Sequence, residues 1–192
     1  MLICTPEELF ASRPFEPGLN RGEMPERWAA LGYTHGAEIG VQSGINARTI
    51  LERWPGHLLL VDIWAEGEGE CSPFRACERA MAAFPGRTRM IKLPSVEAAA
   101  QCEPDSLDCL YIDAAHTYEN VKADLEAWYP IVKPGGMIGG HDFGVREGDD
   151  HNTPNPERLG VAEAVMEFAD RIGVKIHLAR DMGKWANWFF TK

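Results

Sequence analysis

The chain has 192 residues, 45% of them hydrophobic and 25% charged. That length suits one compact domain, and the composition excludes a disordered, collagenous or disulfide-scaffold protein. With 19 basic and 29 acidic residues the net charge is -10, which repels phosphate backbones and argues against nucleic-acid binding.

At the N-terminus, Glu7, Glu8 and Arg13 interrupt any apolar stretch, so no secretory leader is read and the expected compartment is the cytosol, hence cytoplasmic. Apolar runs such as Leu58-Leu59-Leu60-Val61 are far short of the roughly 20 residues that cross a bilayer, so no membrane partner is expected. Residues 1–31 read as a helical or loop extension to a core over 36–190, the whole 1–192 forming a single domain. The cysteines Cys4, Cys71, Cys77, Cys102 and Cys109 are odd in number and lack the C-x-x-C spacing of a structural zinc site. They read as reduced thiols, with Cys109 buried inside an apolar strand pattern.

Short runs rich in Val, Ile and Leu recur at about 25-residue intervals with helical patterns between them, which points to alternating β and α units around a parallel sheet. Strands are expected near Gly36–Val41, His57–Asp62, Thr88–Leu93, Leu107–Asp113, Met137–His141, Lys175–Ala179 and Trp185–Phe190. A helix over Thr117–Trp128 carries Tyr118, Val121, Leu125 and Trp128 on the sheet-facing stripe, with Glu119, Lys122, Asp124 and Glu126 assigned to the other side. A second helix, Arg158–Arg171, repeats Val161, Val165, Phe168 and Ile172. The segments Ala65–Pro73 and Gly144–Glu157 follow strand ends and read as lids or substrate loops.

The segment Ala37–Leu51 runs strand, glycine turn, helix, with the pattern Glu38-x-Gly40-x-x-x-Gly44. Gly40 lets the chain turn sharply off the strand and Gly44 permits close backbone approach to a ligand, while the helix from Ile45 aims its amide dipoles at that turn. The spacing matches neither a P-loop nor the G-x-G-x-x-G fingerprint. Asp62 ends an apolar strand 18 residues after Gly44, close to the roughly 20-residue offset at which an acidic side chain meets ribose hydroxyls. Trp64 is placed either over an adenine ring or at an exposed core edge.

Asp113 closes one strand and His141-Asp142 the next, so neighbouring strands would bring these ends to about 5 Å. Carboxylates that close repel unless a cation or proton lies between them, and a hard ion such as Mg²⁺ on Asp113 and Asp142 would relieve this. His116 and His141 converge on the same edge. The other reading is that one Asp caps a helix and the histidines are satisfied by hydrogen bonds.

With these residues and the run YIDAAHTYENVKADLEAWYPIVKPGGMIGGHDF, the sequence resembles the class I S-adenosylmethionine-dependent methyltransferases. More narrowly it is similar to the branch that includes macrocin-type O-methyltransferases, several of which use a divalent metal. The resemblance implies a Rossmann-like, doubly wound α/β fold: a seven-stranded, mostly parallel sheet with helices on both faces and an antiparallel last strand. It implies S-adenosylmethionine as cofactor, with Gly40 and Gly44 at its methionine portion, Gln42 and Ser43 in the same turn, and Glu38 supporting the turn. Asp62 would hold the ribose, Ile63 the adenine face and Ser95 the adenine edge, and Asp113 would lie between the methionine end and the metal. His141-Asp142 replaces an acidic pair of the metal-dependent relatives, so His141 could instead be the general base, with His116 as the other candidate.

Methyl transfer from a sulfonium is an in-line displacement, so the protein has to align a nucleophile and remove its proton. A hydroxyl at neutral pH needs a histidine or an acidifying metal for this. The expected function is therefore transfer to a hydroxyl of a small molecule, a sugar among the candidates. The alternatives are a metal-dependent hydrolase using the Asp/His cluster, or a non-catalytic adenosyl-ligand-binding domain. Whether the chain forms a homo-oligomer is left open by the sequence.

Overall fold

The computed structural model describes residues 16–65, 69–143, 160–180 and 186–192. Residues 1–15 of the extension, 66–68 of the first loop, 144–159 of the second, and Trp185 lie outside the described residues. The strands are β1 (Glu16–Pro17), β2 (His35–Ile39), β3 (His57–Asp62), β4 (Thr88–Lys92), β5 (Leu107–Ile112), β6 (Val132–Phe143), β7 (His177–Arg180) and β8 (Ala186–Thr191). The helices are α1 (Glu23–Ala30), α2 (Ile45–Arg53), α3 (Pro73–Met81), α4 (Ser95–Ala99), α5 (Tyr118–Trp128) and α6 (Gly160–Ile172).

One sheet runs in the order β1-β7-β8-β6-β5-β2-β3-β4, and only β8 pairs antiparallel with its neighbours β6 and β7. Strands β2 to β8 are the seven expected, and the mostly parallel order with an antiparallel last strand is as the resemblance implies. The two-residue β1 adds an edge beside β7; two residues are too few to carry an alternation that a sequence pattern could reveal. β6 begins at Val132 and not near Met137, because the glycine-bearing stretch before Met137 is bound to the chain end: the Gly135 N–H donates to the Lys192 carbonyl at 2.7 Å and the Lys192 N–H to that of Gly136 at 2.9 Å.

Apolar side chains of the strands leave the sheet on both faces, as a buried parallel sheet requires. Met24, Trp28, Ala47, Ile50, Leu51, Cys77 and Met81 of α1 to α3 form one cluster with Leu58, Leu60 and the buried Cys109. Residues of α4 to α6, among them Ala98, Val121, Leu125, Trp128, Val165 and Phe168, form the other with Leu110 and Ile138. Helix starts follow side-chain chemistry: Ser72 Oγ accepts from the Arg75 N–H ahead of Pro73, and Thr117 Oγ1 accepts from the Asn120 N–H. Among the described residues no helix is long and apolar enough to cross a membrane.

One side chain departs from its expected position: Asp124 is buried, at 5% exposure, and does not share the outer side with Glu119, because it follows Val121 by three residues and so lies on the same covered stripe. Trp188 in β8 is fully buried and donates from Nε1 to the His141 carbonyl at 3.1 Å.

At the edge where the parallel strands begin, Asp108 ties three segments together. Its Oδ2 accepts from the Thr34 and His35 N–H groups at 2.8 and 2.9 Å, and Oδ1 accepts from Lys133 Nζ at 2.6 Å. Burial alone would raise its pKa, but the Lys133 ammonium and these amides outweigh it and hold the carboxyl at about 2. Because the folded pKa lies below the unfolded value, this stabilisation is complete above about pH 4 and is lost as pH falls through about 2. Asp108→Asn should therefore cost about 2 kcal/mol at pH 7 and little at pH 2, read from urea midpoints; an equal loss at both pH values would show that the charge is not what binds these segments.

Candidate active site

The chain leaves β2 toward β3 and β4 on one side and returns to β5 on the other, so the order reverses between β2 and β5. At such a switch point the two connections diverge and leave a crevice beyond the C-terminal strand ends. Gly40 lies there, bonded through its N–H to the Val61 carbonyl, while the Asp113 N–H donates to Ile39 at 2.8 Å. Its φ is +86°, and a Cβ would stand 2.2 Å from the Asp113 carbonyl oxygen. Only glycine satisfies both the torsion and the contact.

Asp62 organises the turn that follows. Its Oδ2 accepts from the Val41 and Gln42 N–H groups, each at 2.8 Å, and its Oδ1 from that of Trp64 at 2.7 Å. The expectation placed this carboxylate on a ribose; the structure puts it on the cavity wall with three backbone donors already bound. Gln42 takes a positive φ of 50° within that clamp, and its carbonyl accepts from Trp64 Nε1 at 2.7 Å. Trp64 is thus 3% exposed and set edge-on against Phe74, not an exposed edge residue.

Glu38 is fully buried below the turn, where Asn46 Nδ2 donates to its Oε1 at 2.9 Å and its Oε2 has no hydrogen-bond partner. Burial pushes this carboxyl up to about 8, against the opposing Asn46 bond, so at neutral pH it is largely a neutral acid. Gly44, at φ +81°, does not line the cavity: a Cβ there would stand 3.0 Å from Cys77 Sγ. Its lack of a side chain serves the left-handed torsion and the packing of α2 on α3.

These elements enclose a cavity of about 760 Å³, within the range of cofactor sites. Glu38, Gly40, Gln42, Ser43, Asp62, Ile63, Ser95 and Asp113 of the expected residues lie on its wall. Polar residues that the sequence reading did not assign to the site also line it, among them Arg21, Asn120 and Asp124. Arg21 comes from the loop before α1 and donates from Nη2 to Asp113 Oδ2 at 2.9 Å; nothing local to a loop arginine marks a partner 92 residues away. Asp124 did carry a signal, as a carboxylate inside an apolar helical stripe.

Beyond Asp113 the acidic and imidazole groups gather. His116 Nε2 lies 3.0 Å from Asp142 Oδ2 and 3.6 Å from Asp113 Oδ1, and His141 Nδ1 lies 3.2 Å from Asp142 Oδ2. The bonds to Asp113 and then to Asp142 raise His116 to about 10. Burial would raise the Asp142 carboxyl, but the two imidazoles outweigh it and hold it well below the usual carboxylate range. Asp142 adopts a left-handed φ of 58°, a conformation an aspartate tolerates better than most residues. His116 lines the cavity, whereas His141 and Asp142 do not. The repulsion foreseen between Asp113 and Asp142 is met here by Arg21 and His116. Ligand atoms of Asp113, His141 and Asp142 nevertheless lie within 4.8 Å of one another, and two carboxylates with an imidazole are a donor set that suits a divalent cation.

A family model described as a methyltransferase domain matches residues 37–143, the span from β2 to the end of β6. The chain belongs to this methyltransferase-domain family. A protein of Mycobacteroides abscessus named "Putative O-methyltransferase" is 32% identical over 137 residues, 69% of this chain and 61% of its own length. An uncharacterized protein, y4gI of Sinorhizobium fredii, is 38% identical over 60 residues, 31% of this chain and 7% of its own length. The chain thus spans less than two thirds of either curated relative. The crystal structure of an O-methyltransferase from Bacillus cereus in complex with SAH superposes with a TM-score of 0.70 at 18% identity, covering 100% of this chain and 93% of that one. At that identity the likeness is one of fold.

The Gly40 contact yields a direct test. Gly40→Ala should lower the stability by at least about 2 kcal/mol, from the strained torsion together with overpacking, measured by urea unfolding. An unchanged midpoint would show that the β2 turn does not press on the end of β5.

Proposed function

We propose that this chain forms a methyltransferase domain that moves a methyl group from S-adenosylmethionine to a hydroxyl of a small molecule, a sugar among the candidates. The observation that carries the reading is the cavity at the β2/β5 switch point, which joins a glycine turn and a row of polar groups to the Asp/His cluster within the family's matched span. Glu38 and Gly40 would face the methionine portion, with Gln42 and Ser43 beside it. Asp62 would use its remaining lone pairs for the ribose, with Ile63 and Ser95 at the adenine.

Deprotonation of the acceptor falls to the imidazoles. Asp142 engages His141 through Nδ1, the arrangement in which a carboxylate orients an imidazole to take a proton at Nε2. His141 is therefore the proposed base, and Asp113 borders both the cofactor and the acceptor. One observation favours His116 instead, since it lines the cavity and His141 does not; to act as base it must first give up the proton that Asp113 and Asp142 keep on it at neutral pH. The other route to an activated hydroxyl is a divalent cation such as Mg²⁺ held by Asp113 and Asp142, with His141 as third donor in place of its role as base, which when bound would lower the pKa of a coordinated hydroxyl.

The test is release of S-adenosylhomocysteine from S-adenosylmethionine across a panel of hydroxylated acceptors, with chelator and with added Mg²⁺. His141→Ala should lower kcat at least about 100-fold while His116→Ala lowers it less; the reverse order transfers the base role to His116. Turnover indifferent to chelation removes the metal. Absence of any binding of S-adenosylmethionine or S-adenosylhomocysteine by calorimetry removes the methyltransferase reading and favours a hydrolase.

A further inference from the structure

Asp124 is an anomaly on α5. The helix covers the sheet with Val121, Leu125 and Trp128, each buried, and Asp124 shares that face at 5% exposure. A carboxylate so placed loses its hydration, which is costly unless something replaces the water. Among the described residues no lysine or arginine does so: burial raises its pKa to about 6, opposed by a single hydrogen bond from Ser95. Ser95 Oγ in turn accepts from Trp128 Nε1 at 2.8 Å, so the serine proton is the one directed to Asp124. One bond leaves most of the roughly four lone-pair positions of the carboxylate unused.

Those positions belong to a group on the cavity wall. Asp124 lines the cavity together with Asn120, with Ile63 after β3 and with Leu93, Pro94 and Ser95 after β4, strands that lie beyond β2 on the side away from β5 and β6. The apolar Ile63, Leu93 and Pro94 together with a buried carboxylate suit a planar heteroaromatic ring that offers an N–H at its edge. We propose that Asp124 reads the purine base of the cofactor by accepting a hydrogen bond from its exocyclic 6-amino group. The inference rests on the adenosyl-cofactor reading above and deepens it. Ser95 is then a positioning residue, its hydroxyl spanning Trp128 and Asp124, in place of the direct adenine contact expected for its side chain. At neutral pH a carboxyl with a pKa near 6 is mostly ionised and acts as an acceptor. A purine without the 6-amino donor leaves it buried and unpaired.

The test pairs a change in the protein with a change in the ligand. Calorimetry would compare S-adenosylhomocysteine with its 6-deamino analogue, the purine riboside thioether, on wild type and Asp124→Leu. The leucine has a similar shape and suits the apolar face. Wild type should bind the deamino analogue roughly ten- to a hundred-fold more weakly. In Asp124→Leu that ratio should collapse to about one, because the adenosyl ligand falls to the level of the analogue while the analogue hardly changes. A ratio as large as that of wild type, or equal weakening of both ligands, overturns the proposal, since a merely structural aspartate would act on both alike. If thermal melting shows that the leucine variant does not fold, Asp124→Ala, which likewise has no acceptor, carries the same cycle, and a ratio not reduced at least about threefold overturns it. Tight adenosyl binding with an unaltered ratio defeats this assignment alone; no adenosyl binding by wild type defeats the cofactor reading and this with it.

Discussion

The contact between Gly40 and the main chain of Asp113 is the constraint on which the site depends. β2 and β5 are hydrogen-bonded neighbours up to Ile39 and Ile112, and one residue later their chains must part in opposite directions. A side chain at position 40 would fill the space between them. Because none is there, the turn can lie against the end of β5, and Glu38, Asp62 and Asp113 come to border one cavity.

Gathering carboxylates at one sheet edge in a chain of net charge -10 raises an electrostatic difficulty, which the fold answers differently at each group. Backbone amides of the glycine turn and of Trp64 take up Asp62. The guanidinium of Arg21 meets Asp113, and two imidazoles meet Asp142. Burial keeps Glu38 largely protonated at neutral pH. Asp124 is the exception, with neither a cation nor a set of amides, which is why it reads as a group awaiting a partner. The cavity wall therefore carries Arg21, Asp113 and His116 as mutually paired charged groups, and Asp124 with no cation beside it among the described residues.

The N-terminal segment belongs to this electrostatic plan as much as the core does. α1 packs Met24 and Trp28 into the core cluster beneath the β2 side, and that docking carries Arg21 to the cavity. The helix is short, and its tertiary packing fixes it more firmly than its intrinsic propensity could.

Much of the architecture was legible in local pattern. Apolar runs such as His57–Asp62, the stripe of α5 and the glycine turn after β2 depend on residues close in sequence, so periodicity and spacing reveal them. The same holds for the convergence of Asp113 with His141 and Asp142, which needs only that consecutive strands be neighbours. What only the tertiary structure decided are the contacts made across the chain: Arg21 on Asp113, Trp64 turned inward onto Gln42, Gly44 against Cys77, and the hydroxyl of Ser95 shared between Trp128 and Asp124. The charge of Asp124 argues for an outer position, whereas its angle on the helix, three residues after Val121, sets it on the covered stripe. That this part of the stripe meets Ser95 and the cavity follows from the neighbours of α5, and no stretch of sequence around residue 124 contains them.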